Sequence, residues 1–203
     1  LAGRVVIPAN NQKVLASPRG VGEGLRVKVN ANIGTSQAHG DIDEELQKVD
    51  IAVANGADAV MDLSTGSRTE ETRRAVIERC PVPVGTVPLY EAFLKGGKAR
   101  GSIEGLSVDD IFSRIEAHGR EGVDFVTLHC GLTRESLARM RAQGRVINIV
   151  SRGGALLVEW MIRNDRENPL YEHYDRLLAL CAKYEMTISL GDGMRPGALA
   201  DAT

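Results

Sequence analysis

Six short apolar runs, rich in β-branched residues, recur along the chain, and each ends in a polar residue before a stretch with helical spacing. The runs are LRVKVNANIG at 25–34, ADAVMDLSTG at 57–66, VPVGTVPLY at 82–90, VDFVTLHCG at 123–131, VINIVSRGG at 146–154 and MTISLGDGMRPG at 186–197. Strands that are separated by helices run parallel to their neighbours, because a parallel partner needs a long crossover. The pattern therefore predicts an α/β chain with a parallel sheet covered by helices.

Apolar spacing also predicts where the helices lie. The positions from Ile42 to Val53 follow one helical face and end near Gly56. Ser107 and Thr133 have the character of N-cap residues, and Pro169 that of a first helical residue. Strand and helix thus alternate along most of the chain.

Polar side chains follow nearly every predicted strand. They are Asn32, Asp62, Thr86, His129, Ser151 with Arg152, and Asp192 with Arg195. A doubly wound sheet would place one glycine-rich phosphate loop after its first strand, whereas a barrel carries functional residues at several strand ends. The pattern favours a (β/α)8 TIM-type barrel, of which about six β/α units are present. We expect the remaining two units to lie outside these 203 residues.

The composition argues against nucleic acid and membranes as partners. The chain has 25 basic and 27 acidic residues, so it has no basic surface for nucleic acid or an anionic membrane. No apolar run approaches the roughly 20 residues that span a bilayer. The three cysteines lie about 50 residues apart without a CxxC pair, which predicts neither a disulfide framework nor a local metal site. We expect a cytoplasmic protein with a small-molecule partner.

Two glycine-rich motifs have the character of anion sites. In SRGG, Ser151 and Arg152 precede a helix and two glycines, which offers a hydroxyl, a guanidinium, open backbone and a positive helix end. In GDGMRPG, Asp192 and Arg195 stand three residues apart across glycines. A helix cap with a surface arginine, and an internal Asp–Arg pair, are the alternatives without a ligand.

Two further strand ends carry candidate binding groups. Asn30 and Asn32 fall on the same side of a strand, and His129 follows an apolar strand where an imidazole can donate, accept or bind a metal. The alternatives are a turn stabilised by asparagine side chains and a structural histidine. His39, His118 and His173 are expected to be solvated or packing residues.

The motifs VNANIGTS, AVMDLSTG, PVPVGTVP followed by Tyr90, DFVTLHCG, IVSRGG, ENPLYEHYDRLL and SLGDGMRPG, in this order, resemble the phosphomethylpyrimidine synthase family. The resemblance covers the chain from about Gly3 to Thr203. It implies a radical S-adenosylmethionine lyase with a (β/α)8 barrel. Such an enzyme converts 5-aminoimidazole ribotide to 4-amino-5-hydroxymethyl-2-methylpyrimidine phosphate in thiamin biosynthesis. A sister branch makes 5-hydroxybenzimidazole from the same ribotide for anaerobic cobamide biosynthesis.

The resemblance also implies which residues bind the ribotide. They are Asn32, Met61, Tyr90, His129, Ser151, Arg152, Gly153, Asp192, Gly193, Met194 and Arg195. The family usually has leucine at the position of Met194 and often glycine at that of Asn148. The second departure, together with the SRTEETRR segment, leaves the choice between the thiamin and benzimidazole branches open.

The cofactors implied by the resemblance are a [4Fe-4S] cluster, S-adenosylmethionine and a metal site for which zinc is the candidate. In the family, the cluster cysteines and two metal-binding histidines lie in a later segment that has no counterpart before Thr203. We therefore expect no metal ligands within this chain, and a single barrel domain over residues 1–203 that ends before the cluster segment. The family resemblance also suggests a homodimer.

Two other classes of function stay open. One is a phosphosugar aldolase or isomerase barrel, with Lys28 or His129 as the base or Schiff-base former. The other is a non-catalytic module for ligand binding or assembly, which the missing cysteine motif would suit.

Overall fold

A computed structural model describes residues 2–100 and 103–202 of the protein. A two-stranded antiparallel ribbon, β1 (Val5–Val6) and β2 (Val21–Gly22), precedes the main sheet. The main sheet consists of β3 (Asn30–Ile33), β4 (Ala59–Asp62), β5 (Val84–Thr86), β6 (Phe125–Leu128) and β7 (Thr187–Leu190). All four pairings are parallel and follow chain order. The predicted parallel α/β alternation is confirmed.

Eight α-helices connect and flank these strands in the described part of the chain. They are α1 (Ile42–Ala54), α2 (Thr69–Arg79), α3 (Pro88–Arg100), α4 (Val108–Arg120), α5 (Arg134–Gln143), α6 (Arg152–Asn164), α7 (Pro169–Glu172) and α8 (Tyr174–Tyr184). The caps predicted at Ser107 and Thr133 are present as reciprocal capping boxes. The helix predicted from Pro169 is divided at His173 into α7 and α8. None of the described helices has the length and apolar character needed to cross a bilayer.

The strand predicted at 146–150 is wrong. This segment is irregular, and the backbone N–H groups of Val146 and Ile147 donate to the carboxylate of Asp201, at 2.8 and 3.0 Å. Val146 is 77% exposed, whereas Ile149 packs against the core. Because β7 pairs directly with β6, the described sheet has five parallel strands rather than six, and it is open between β3 and β7.

Strand register separates the two faces of the sheet. Asn32 is paired with Met61, and Met61 with Gly85, so these residues share one face. Asp62 and Thr86, one position further along, are paired on the opposite face, which α2, α3 and α4 cover. Asp62 lies at the carboxyl end of its strand, as expected, but its side chain is on the opposite face of the sheet from Asn32. Alternation places it on the helix side, with the fully buried Val60.

Carboxylates at the amino ends of the strands hold the N-terminal segment in place. Asp124, which is fully buried just before β6, accepts hydrogen bonds from the backbone N–H groups of Asn10 and Val84, at 3.0 and 2.7 Å. The two N–H groups bind different oxygens, and the oxygen that accepts from Val84 also lies 2.8 Å from the Lys13 ammonium.

Candidate functional site

A cavity of about 510 Å³ opens at the carboxyl end of the sheet. Its polar side chains include Asn32 at the end of β3, Tyr90 in the first turn of α3, Arg152 at the start of α6 and Arg195 after β7. The loop at 33–36 and residues Leu63, Thr65 and Val150 complete the lining. Side chains that are up to 163 positions apart in the sequence thus meet in one cavity.

The beginning of α6 presents three anion-binding features together. Ser151 is the N-cap, and its hydroxyl accepts a hydrogen bond from the backbone N–H of Gly154 at 3.2 Å. The exposed Arg152 follows, with its guanidinium 5.4 Å from the centre of the Tyr90 ring. The stacked guanidinium faces the cavity beside the positive end of a 13-residue helix, which the buried Ser151 hydroxyl caps.

Glycine is required at both positions after Arg152, because neighbouring atoms lie too close for a Cβ atom. A Cβ atom on Gly153 would lie 2.5 Å from Nε2 of His129, and a Cβ atom on Gly154 would lie 2.1 Å from the carbonyl oxygen of Gly193. The first turn of α6 therefore packs directly against the β6 end and the loop after β7. This contact brings the SRGG and GDGMRPG motifs together, as their shared chemistry suggests.

His129 lies behind Arg152 and is 5% exposed. Burial lowers the pKa of His129, and the nearby charge of Arg195 lowers it further. The ring is therefore neutral near pH 7. Its Nε2 lies 3.1 Å from the Ser151 hydroxyl, which can donate to it, and its Nδ1 has no hydrogen-bond partner within the described residues. The Nδ1 atom is buried against the backbone of Gly191, where an added Cβ would lie 2.4 Å from it, and His129 is not among the described residues that line the cavity.

The loop after β7 is shaped mainly by backbone contacts. Arg195 donates to the main-chain carbonyl of Asp192 at 3.1 Å, whereas the Asp192 carboxylate accepts from the backbone N–H of Met194 at 3.2 Å. The internal Asp–Arg ion pair considered from the sequence is not seen among the described contacts. Met194 faces α5, where its sulfur accepts from the Ser136 hydroxyl at 3.3 Å. The structure thus directs Arg195, but not the Met194 side chain, toward the cavity.

Met61 lies deeper and is 8% exposed. Its sulfur lies 3.7 Å from the side-chain nitrogen of Asn30. The same nitrogen lies 3.4 Å from the side-chain oxygen of Asn32. Met61 therefore packs beneath the Asn30–Asn32 pair rather than at the opening of the cavity.

Sequence reasoning missed two residues that shape this site. Glu45 on α1 is 1% exposed and accepts a hydrogen bond from the backbone N–H of Gly34 at 2.7 Å, which fixes the loop after β3. Arg145 donates to the carbonyl of Met194 at 2.7 Å and fixes the loop after β7. The only sequence signal for Glu45 is its place on the buried side of an amphipathic helix.

The charge of the cavity is positive. Two arginines are among its lining residues, and no aspartate or glutamate is, within the part of the chain that is described. Arginine pairs beside a helix N-terminus bind phosphate and carboxylate groups by bidentate hydrogen bonds and charge. The arrangement is suited to a small anionic ligand.

No metal site is formed by the residues described. Nowhere in 2–100 and 103–202 do three or more histidine, cysteine or acidic side chains converge as metal ligands. Cys80, Cys130 and Cys181 are buried in the core, and burial raises the pKa of each thiol, to about 11 for Cys130 and Cys181. Because metal clusters bind thiolates, this part of the chain does not fit an iron–sulfur cluster.

Comparisons with known proteins find the same family that the sequence motifs resemble. The model of the Radical SAM ThiC family matches residues 1–203. The chain is 55% identical over 201 residues to a phosphomethylpyrimidine synthase of Thermodesulfovibrio yellowstonii, covering 99% of this chain and 47% of that protein. A protein of the same name from Moorella thermoacetica is 54% identical over 202 residues, covering 100% and 47%. The chain spans about half the length of the curated relatives it matches.

Proposed function

The chain belongs to the Radical SAM ThiC family, and from this we propose that it is the ribotide-holding part of a phosphomethylpyrimidine synthase. The complete protein would convert 5-aminoimidazole ribotide to 4-amino-5-hydroxymethyl-2-methylpyrimidine phosphate, with S-adenosylmethionine and a [4Fe-4S] cluster. The observation that carries the proposal is the cavity at the strand ends, which two arginines and no carboxylate line among the residues that the structure describes. A phosphorylated ribose matches that charge.

Each candidate residue has a distinct part in holding the ribotide. We assign the phosphate to Arg152 and Arg195, assisted by the Ser151-Gly153 turn and the N-terminus of α6. Tyr90 keeps the Arg152 guanidinium in place by stacking. We assign His129 to the support of the phosphate site, where its Nε2 contacts the Ser151 hydroxyl at the start of α6. Together these residues would fix one orientation of the ribotide and exclude water from it.

The loop residues and strand ends complete the set taken from the family resemblance. Asn32 offers an amide to the ribose or the aminoimidazole, and Met61 an apolar floor beneath it. Asp192 and Gly193 supply the backbone that carries Arg195. No step through the cluster is assigned to these side chains, because the residues described do not fit it.

The (β/α)8 barrel is part of the proposal. Its support is the sheet itself, whose five parallel strands run in chain order and leave β3 and β7 each with an unpaired edge in the described chain. Residues 1–203 would form most of one barrel domain, with the remaining units and the cluster ligands in the rest of a longer protein. A homodimer and a zinc site are further expectations from the family resemblance.

The phosphosugar aldolase alternative is weakened by the position of Lys28. This lysine lines a different cavity, of about 320 Å³, at the amino end of the strands, and its ammonium donates to the carbonyl of Arg26 at 2.7 Å. Barrel enzymes act at the carboxyl end of the strands. A Schiff-base lysine at this position would therefore be at the wrong end of the sheet.

The experiment that tests the proposed function is turnover by the complete protein. After reconstitution with iron and sulfide, and with a reductant, S-adenosylmethionine and the ribotide, mass spectrometry should detect the pyrimidine phosphate. Formation of 5-hydroxybenzimidazole instead would assign the protein to the sister branch. A protein that consumes neither S-adenosylmethionine nor ribotide would contradict both assignments.

The three cysteines give a separate prediction about the cluster. Replacing Cys80, Cys130 and Cys181 together by alanine in the complete protein should leave the iron and sulfide content per chain unchanged, because these thiols are buried apart from any group of metal ligands that the structure describes. The measurement is iron and sulfide analysis after reconstitution. If the variant folds but loses its iron, the cluster ligands have been misplaced.

A further inference from the structure

A group of buried charged residues lies on the helix side of the sheet, next to the cavity but not in it. We call Arg73, Glu91, His118 and Thr86 the Glu91 cluster. These residues come from α2, α3, α4 and the end of β5, and none is more than 3% exposed. No sequence motif joins them, and the ribotide assignments do not use them.

The Glu91 carboxylate is the centre of this cluster. One oxygen accepts from Arg73 at 2.6 Å and from His118 Nε2 at 3.0 Å, and the other lies 2.7 Å from the Lys95 ammonium. Burial alone would raise the pKa of Glu91, but the hydrogen bond from His118 and the charge of Arg73 hold it well below its usual range. Glu91 is therefore ionised and has donors at both oxygens.

His118 connects the carboxylate to the sheet. Burial lowers the pKa of His118, so the ring is neutral, and the bond to Glu91 places its proton on Nε2. Its Nδ1 then accepts from the Thr86 hydroxyl at 2.8 Å. The last residue of β5 is thus connected through His118 to the first turn of α3.

The cluster meets the candidate site at Tyr90, which immediately precedes Glu91. The Tyr90 ring lines both the small buried cavity of the Glu91 cluster and the open cavity that contains Arg152. Successive helical side chains point about 100° apart, because a turn contains 3.6 residues. Fixing Glu91 toward the sheet therefore fixes the direction in which Tyr90 projects toward the Arg152 guanidinium.

Stability alone does not explain such a cluster. A buried ion pair contributes little net stability compared with apolar residues of the same size, because each charge loses its hydration. A buried ion pair differs from an apolar contact in that it fixes the orientation of the two groups, since each hydrogen bond has a defined geometry. An ionised carboxylate that accepts from Arg73 on α2 and from His118 on α4 holds the first turn of α3 in one rotation.

We propose that Glu91 is a positioning residue for the ribotide, acting through Tyr90 and Arg152. The inference rests on the proposed function, because it concerns the same ligand. Glu91 itself does not touch the ligand; it holds the aromatic ring that holds the phosphate-binding arginine.

The test is Glu91→Gln in the complete protein. The amide keeps the size of the side chain but points N–H groups at a neighbouring donor, so the first turn of α3 should rotate. We expect the KM for the ribotide to rise about tenfold, since a small displacement of a binding group weakens its contact with the ligand. The KM for S-adenosylmethionine should stay within twofold, which a general loss of stability would not predict.

The matched control is Asp124→Asn. Asp124 is a fully buried, hydrogen-bonded carboxylate at the opposite end of the strands. Both variants should lower the melting temperature, but only Glu91→Gln should raise the KM for the ribotide. Lys95→Met, which removes a half-exposed donor to the same carboxylate, should give a smaller rise of about threefold even if Glu91→Gln fails to fold.

A crystal structure of the Glu91→Gln protein separates this inference from the proposed function. We expect the Tyr90 ring to leave its position over the Arg152 guanidinium. If the ring stays and the KM for the ribotide matches that of Asp124→Asn, the cluster is only structural and the inference is overturned. If the parent protein does not bind the ribotide at all, the proposed function fails, whatever the position of the ring.

Discussion

Replacing Gly154 by alanine is expected to weaken ribotide binding by the complete protein about 100-fold or more. The added Cβ would lie 2.1 Å from the carbonyl oxygen of Gly193, and a backbone atom cannot move aside as a flexible side chain can. The first turn of α6 and the loop after β7 would have to separate. A displacement of about 1 Å between groups that bind one ligand can cost 100-fold, and the overpacking itself costs about 1–3 kcal/mol of stability.

Gly131→Ala is the matched control for this effect. Gly131 lies in the neighbouring loop after β6, its φ is not in the left-handed region, and no heavy atom lies within 4 Å of an added Cβ. Its stability should stay within about 0.5 kcal/mol of the parent. Calorimetric titration with the ribotide and thermal melting would compare the two variants. Parent-like ribotide affinity in Gly154→Ala would show that α6 and the β7 loop do not form one binding site.

Replacing Arg152 by alanine is expected to weaken ribotide binding roughly 10- to 150-fold, because a hydrogen bond to a charged group contributes about 1.5–3 kcal/mol. The guanidinium is exposed, faces the cavity and stacks on Tyr90, so its removal should not unfold the chain. Arg152→Lys should recover only part of the loss, since an ammonium keeps the charge but not the planar fork.

The dephosphorylated riboside and a distant arginine show whether the effect belongs to the phosphate. Arg152→Ala should leave riboside affinity nearly unchanged. Arg79→Ala removes the same charge at the other end of the sheet, where Arg79 pairs with Asp50 on the surface, and should leave ribotide affinity unchanged. Equal weakening of ribotide and riboside in Arg152→Ala would indicate that the phosphate is held elsewhere.

The sequence predicts most of the fold because its strands and helices carry strong local signals. Runs such as AVMD and FVTL are short, apolar and β-branched, and they became β4 and β6. The run VINIV is richer still in β-branched residues but forms no strand: the Asp201 carboxylate accepts from the backbone N–H groups of Val146 and Ile147, and β7 rather than this run pairs with β6. That competition depends on a residue more than 50 positions away, which composition does not show.

The sequence predicts those parts of the candidate site that lie within short motifs, and not the parts that depend on distant residues. The short motifs SRGG and GDGMRPG each predict an anion site, and the structure brings the two motifs into contact. The side of the sheet that Asp62 faces depends on register, which a single strand does not reveal. The Glu91 cluster depends on three helices, and its one signal is that His118 continues the apolar face of Ile111 and Ile115.

The central claim is that the cavity beside α6 holds a phosphorylated ribose. A crystal structure of the complete protein with bound 5-aminoimidazole ribotide tests it most directly. The account predicts phosphate oxygens at hydrogen-bonding distance, about 2.7–3.2 Å, from the Arg152 guanidinium and the backbone N–H groups at the start of α6. A ribotide bound with its phosphate away from both arginines, or in the cavity at the amino end of the strands, would contradict it.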